Sequence, residues 1–227
     1  MLRYTLILLA LLYGVGLYLL SAHRTKKHLA EQSVELADPS LLPILQRLAK
    51  ALDLPRIRVF VYNVPQVNGL AAPDGKIYLT RGFLDKYRSG EISDTELASV
   101  IAHEMGHVAL GHTRRRLIDF SSQNALRTAL AMFLGRILPG IGPFLANAAM
   151  SLLMARLSRG DEYEADAYAS ALLIKAGIGT EPQISLFRKL DRLTGGAGGN
   201  SPAWLLSHPK TQARIHAIER NSEKWKG

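Results

Sequence analysis

Three histidines and one glutamate stand in the stretch "ASVIAHEMGHVALGH", residues 98 to 112, among small and apolar residues. His103 and His107 are four residues apart. On a helix ~40° then separates them, so both side chains leave the same face. Two imidazoles so placed can share one Zn²⁺ at Zn–N distances of about 2.0–2.1 Å. Glu104 projects ~100° round the helix, beside such a metal rather than onto it. From there its carboxylate can take a proton from water whose pKa zinc has lowered to about 7. A motif this short also arises by chance, and by itself it reads equally well as polar residues on a buried helix.

His112 is the third histidine. A class of zinc proteases carries its third ligand six residues after the second, following a glycine, but those positions are Leu110 and Thr113. On a helix continued through it, His112 lies ~140° away from His107. It reads as a structural or helix-end histidine.

A third ligand then has to come from elsewhere, and with no cysteine in the chain it must be another histidine or a carboxylate. "SRGDEYEADAYA", residues 158 to 169, offers a helical face. Glu162 and Asp166 share that face at a spacing of four, while Glu164 sits ~200° from Glu162. Glu162 could ligate a metal while Asp166, one turn on, hydrogen-bonds and orients His103 or His107. The plain alternative is a solvated acidic turn at a helix N-terminus, which the helix dipole favours anyway.

These residues need rigid elements to hold them. Ser93 and Glu96 form a capping-box pattern that starts a helix over residues 94 to about 113. Before it, Leu41, Ile44, Leu45, Leu48 and Leu52 recur at helical spacing up to Pro55. "RIRVFVY" alternates as a strand with one face in a core, and "NGLAAPDGKIYLT" predicts two short strands about a Pro-Asp-Gly turn. Residues 125–155 form two apolar segments broken by "LPGIGP", each too short to cross a bilayer. They predict a helical hairpin, either packed on the domain or dipping into a membrane. A helix follows from about 159 to 176, stopped by Gly177, then another to Leu193. The glycine-rich loop of residues 194–204 leads to a last helix in "SHPKTQARIHAIER".

The bulk composition narrows the class. Of 227 residues 48% are hydrophobic, enough for a real core, so wholesale disorder is excluded. The net charge of +9 invites a nucleic-acid reading, but the basic residues are dispersed. "HRTKK" flanks the N-terminal apolar run and Arg114 to Arg116 follow a helix, so no nucleic-acid partner is expected. Residues 4 to 22 carry no charge and would reach roughly 28 Å as a helix, close to the ~30 Å hydrocarbon core. Residues 1–22 therefore read as a transmembrane anchor, with a cleaved signal peptide as the alternative. Arg24, Lys26 and Lys27 outnumber Arg3 and the terminal amine, which mildly favours a cytoplasmic C-terminal side. Residues 23–38 read as a polar tether and 39–227 as one α+β domain, predominantly helical with a small β-sheet.

"HEMGH" followed some 55 residues later by "EYEAD", across a hydrophobic hairpin, resembles the membrane-associated zinc metalloproteases of the HtpX and CAAX-prenyl-endopeptidase family. The likeness covers roughly residues 35 to 220. It implies a zincin-like fold, one Zn²⁺ per chain held by His103, His107 and Glu162, Glu104 as catalytic base and Asp166 behind the ligands. "NGLAAPDGKIYLT" resembles the family's edge strand before the active-site helix, with Gly69 where alanine is more usual; an extended substrate could pair with it. "SHPKTQARI" resembles a late His-Pro segment followed by Arg. His208 or Arg214 could then stabilise an oxyanion, or His208 could close the site as a fourth ligand. The resemblance implies a zinc metalloendopeptidase acting on misfolded or membrane-proximal proteins, on the cell-envelope face. A single clear membrane segment sets the chain apart from multi-spanning members and disfavours prenyl-protein processing. The rival reading is a non-catalytic, chaperone-like binding protein, against which Glu104 argues, since a structural zinc needs no base.

Overall fold

The computed structural model of the chain describes residues 2–72, 74–112, 115, 130–194, 208 and 212–226. Helix α1 (Leu2–Glu31) leads into strand β1 (Ser33–Glu35), and α2 (Leu42–Ala51) follows a short 3₁₀ turn. Strands β2 (Val59–Tyr62), β3 (Gly69–Ala71) and β4 (Ile77–Thr80) precede α3 (Arg81–Arg88) and α4 (Asp94–Ala109). After a helical stretch at 130–137 come α5 (Gly142–Lys175), α6 (Glu181–Thr194) and α7 (Gln212–Lys226). The architecture is mostly helical with one small mixed sheet, as the residue pattern predicts.

The sheet has the order β1-β2-β4-β3. β2 and β4 run parallel, Val59 opposite Ile77, while β1 and β3 pair antiparallel on the two flanks. Ile77 and Leu79 of β4 are buried, as is Val59 of β2, because one sheet face lies on the helices. Leu41, Ile44, Leu45 and Leu48 bury the predicted stripe of α2 in the same core, with Ile101 of α4 and Leu173 of α5. Arg47 of α2 donates to the carbonyls of Ala176 and Gly177, satisfying the C-terminal end of α5. Gly177 takes φ +68° and closes that helix where the sequence places its stop.

Four elements differ from the sequence reading, each for a local reason. Residues 23–38, expected as a tether, are helical through Glu31 and then supply β1. Leu29 is buried there with Ala72 and Tyr78, and His28 Nε2 lies 2.9 Å from the Tyr62 hydroxyl, so the polar composition hides two docking side chains. The second arm of the expected 125–155 hairpin and the helix expected from about 159 are one element, since α5 runs unbroken from Gly142 to Lys175. Among the described residues the helical arms break at "LPGIGP", and Gly160 is tolerated in mid-helix with open space around its missing side chain. Helix α3, which no capping or periodicity signal marked, is short and buries Gly82, Phe83 and Leu84. Finally, α4 ends at Ala109 rather than near 113.

The expected N-terminal transmembrane helix rests largely on side chains 2–11, which lie outside the described set. Among the described residues no helix is long and apolar enough to cross a membrane. The first arm of the hairpin before residue 130 and the glycine-rich loop from residue 195 also lie outside the described residues.

The start of α4 is fixed by chemistry legible in the sequence. Ser93 Oγ accepts from the Glu96 amide at 3.2 Å, and the Glu96 carboxylate accepts from the Ser93 amide at 2.8 Å. The same carboxylate accepts from Lys189 Nζ at 2.7 Å and from Ser185 Oγ at 2.7 Å, both on α6. Burial alone would raise the Glu96 carboxyl, but the Lys189, Ser185 and Ser93 hydrogen bonds hold it below its ordinary 4.5. A depressed folded-state value contributes stability above the unfolded value that is lost as pH falls through the folded one. Glu96→Gln keeps a capping acceptor and loses the charge. It is expected to destabilise the protein by roughly 1–2 kcal/mol at pH 7. Denaturant titrations of both proteins should show that gap closing as pH falls below about 4.5; a gap independent of pH would contradict the ionic role.

Candidate metal centre

Helix α4 presents His103, Glu104 and His107, and α5, packed along it, presents Glu162 and Asp166. The two helices meet at Gly106. A Cβ there would sit 3.0 Å from both Cα and O of Ala165 and 3.2 Å from Tyr168 Cβ. The glycine between the paired histidines is therefore a packing requirement: it lets α5 come close enough for Glu162 to reach them.

The reach is direct. His103 Nε2 and His107 Nε2 are 3.1 Å apart, and the Glu162 carboxylate lies 3.4 Å from the first and 3.5 Å from the second. Donors about 2.0–2.1 Å from a tetrahedral zinc are ~3.3 Å from one another, so this set fits one ion. His208 joins them: ligand atoms of His103, His107, Glu162 and His208 all lie within 4.8 Å of one another, and all four residues are buried. His208 Nε2 is also 3.7 Å from Glu104 Oε1, so it stands beside both the ligand cluster and the residue expected as base.

Behind this cluster lies a second tier. Asp166 Oδ1 is 3.0 Å from His103 Nδ1, so of the two histidines expected as its partner the structure pairs it with His103. Arg214 of α7, only 2% exposed, donates to both Asp166 oxygens at 2.6 and 2.8 Å and lies 3.3 Å from Glu162. Its guanidinium stacks on Phe187 at 4.8 Å. Arg214, expected as an oxyanion donor, thus meets the carboxylates that carry the ligands. His112, expected to be structural, is buried with Nδ1 3.0 Å from His107 Nδ1. Gly111, φ +70°, ends α4 and turns the chain, so the ~140° offset of a continued helix never applies. A glycine one residue before a histidine was the available signal.

The charges explain the titration of the site. Burial alone would lower the His103 imidazole, but its hydrogen bonds to Asp166 and Glu162 push it up to about 9. Burial alone would raise Glu162, but His103, His208 and Arg214 hold it well below the usual carboxylate range. Asp166 is likewise held down against burial by Arg214 and His103. A divalent cation held by this set would supply the positive charge that the His103 proton otherwise provides, and would require a neutral His103.

Comparison with known proteins decides the family. The family model described as Peptidase family M48 matches residues 35–222. The chain belongs to peptidase family M48. Metalloprotease LoiP of Escherichia coli is 32% identical over 178 residues, covering 78% of this chain and 68% of LoiP. Metalloprotease YcaL of the same organism is 30% identical over 178 residues, covering 77% of this chain and 67% of YcaL. A protease HtpX homolog of Acidiphilium cryptum is 31% identical over 181 residues, covering 72% of this chain and 59% of that relative. As an M48 member the chain is a zinc metalloendopeptidase that hydrolyses peptide bonds in peptide or protein substrates.

In this M48 domain the contact at Gly106 sets how near Glu162 comes to His103 and His107. Gly106→Ala should force α5 back by a few tenths of an ångström, costing about 1–3 kcal/mol of stability and weakening zinc binding. Thermal unfolding and chelator competition on the purified protein measure both. A variant as stable and as zinc-avid as the parent would contradict the close-approach role.

Proposed function

We propose that His103, His107 and Glu162 hold the zinc of this peptidase and that Glu104 is its general base. The observation that supports this reading most is the convergence of the two Nε2 atoms and the Glu162 carboxylate within 3.5 Å of one another. Zinc held there lowers the pKa of water to about 7 and polarises the scissile carbonyl. Glu104, buried beside the ligand cluster, takes the proton of the attacking water and delivers it to the departing amine nitrogen. His208 is assigned to the developing oxyanion, since its Nε2 stands near Glu104 as well as near the ligands. Arg214 is assigned a positioning role, because its guanidinium engages Asp166 and Glu162. Asp166 in turn orients His103.

Substrate binding by strand addition is part of the same proposal. β3 lies at the sheet edge and packs against α4. A Cβ on Gly69 would come within 2.9 Å of Val100 Cγ1 and 3.3 Å of Glu104 Oε1, so this edge runs alongside the base. An extended peptide paired with it is read by its main chain, which suits a protease of misfolded or membrane-proximal proteins over one with a narrow side-chain code. Residues 4–22, an uncharged apolar run, are proposed as the membrane anchor that sets where such substrates are met. Residues 33–38 are proposed to belong with 39–227 in the catalytic domain, since β1 completes the sheet.

Zinc content and casein cleavage of two variants test the assignment. Glu104→Gln should keep zinc and lose cleavage by at least ~100-fold, the scale of a missing general base. Glu162→Ala should lose both. Cleavage that survives Glu104→Gln would rule out the mechanism.

A further inference from the structure

We infer that His112 and Glu164 form a positioning relay that fixes the ring nitrogen His107 offers to the metal. The inference rests on the reading of His107 as a zinc ligand and extends it to two residues of the chain that carry no part of that reading.

The geometry is a chain of three groups. His107 turns Nε2 toward the ligand cluster, 3.1 Å from His103 Nε2. Its Nδ1 lies 3.0 Å from His112 Nδ1, and His112 Nε2 lies 3.0 Å from Glu164 Oε2. The His107 and His112 rings are 5.1 Å apart at 69°. His112 is 0% exposed, whereas the Glu164 side chain is 59% exposed, so the relay runs from the ligand cluster to the surface. Asp161 also faces His112, at 3.8 Å, while lying 3.6 Å from Arg115.

Proton placement along this chain has one solution. A neutral imidazole that donates its Nε2 lone pair to a metal keeps its proton on Nδ1. The His107 Nδ1–H can then donate only to a bare Nδ1 on His112. That puts the His112 proton on Nε2, where it donates to the Glu164 carboxylate. The opposite arrangement, with the proton on His112 Nδ1, would push the His107 proton onto Nε2 and cancel the ligand. Glu164 therefore selects the tautomer of His112, and His112 selects that of His107. His103 receives the same service from Asp166 directly at 3.0 Å. Both histidines are thus oriented by carboxylates of α5, one in contact and one across an interposed imidazole.

Gly111 makes the relay possible. Its φ of +70° ends α4 and swings His112 back over the last turn, onto the ring of His107. The relay and the helix stop are one device, encoded in consecutive residues.

Zinc affinity by competition with a chromophoric chelator, together with NMR of the histidine ring nitrogens, tests the inference. Glu164→Ala changes an exposed residue, so the thermal midpoint of the metal-free protein should stay put. Its zinc affinity should fall several-fold, and that of His112→Phe by on the order of 10–100-fold, the usual cost of a lost outer partner. Glu164→Gln keeps an acceptor for His112 and should bind zinc nearly as well as the parent. In the zinc-loaded parent the NMR should show His112 protonated on Nε2 alone. His112 protonated on Nδ1, or parental affinity in both Glu164→Ala and His112→Phe, would overturn the relay while leaving the zinc site intact. A parent protein that takes up no zinc would instead overturn the metal-site reading, and the relay with it.

Discussion

Between α4, α5 and α7 the protein buries the carboxylates of Glu104, Glu162 and Asp166 against one guanidinium, that of Arg214. Three negative charges and one positive charge leave two to be balanced where water cannot screen them, and uncompensated buried charge is strongly destabilising. Without a metal His103 supplies one of the two, its imidazole pushed up to about 9 despite burial by its hydrogen bonds to Asp166 and Glu162. A dication held by His103, His107 and Glu162, as proposed, would supply both charges with His103 neutral. The demand for positive charge is thus a property of the packed core.

That balance depends on backbone placement set far from the charges. The capping box at Ser93 and Glu96 fixes where α4 begins, and so which face carries residues 103 and 107. Glu96 also ties that start to α6 through Lys189 and Ser185. Gly106 sets how near α5 approaches, and Arg214 on α7 clamps the carboxylates α5 delivers. The sheet contributes its flank: β3 lies against α4, so the edge proposed to pair with substrate runs beside Glu104, the proposed base. Small changes at any of these points move the His103, His107 and Glu162 atoms, whose separations are about 3–3.5 Å.

Much of this centre can be read from residues because its signals are local. A capping box plus a four-residue spacing puts His103 and His107 on one face, and the same spacing pairs Glu162 with Asp166. The strand at 59–62 and the buried stripe of α2 follow from simple periodicity. What sequence could not convey are relations made by backbone direction across distance. Gly111 reads as another small residue in an apolar run until its left-handed φ shows that it ends α4 and returns His112 to His107. Arg214 reads as an oxyanion donor until packing turns it onto Asp166. Residues 23–38 look like a tether because the two side chains that dock them, His28 and Leu29, are scattered among polar neighbours.

X-ray absorption at the zinc edge of the loaded protein tests the central claim most directly, because it reports the ligand shell without relying on turnover. Shared ligation by α4 and α5 predicts one zinc with two imidazole nitrogens and a carboxylate oxygen at about 2.0–2.1 Å. A six-oxygen shell, or a shell with a single imidazole, would contradict it.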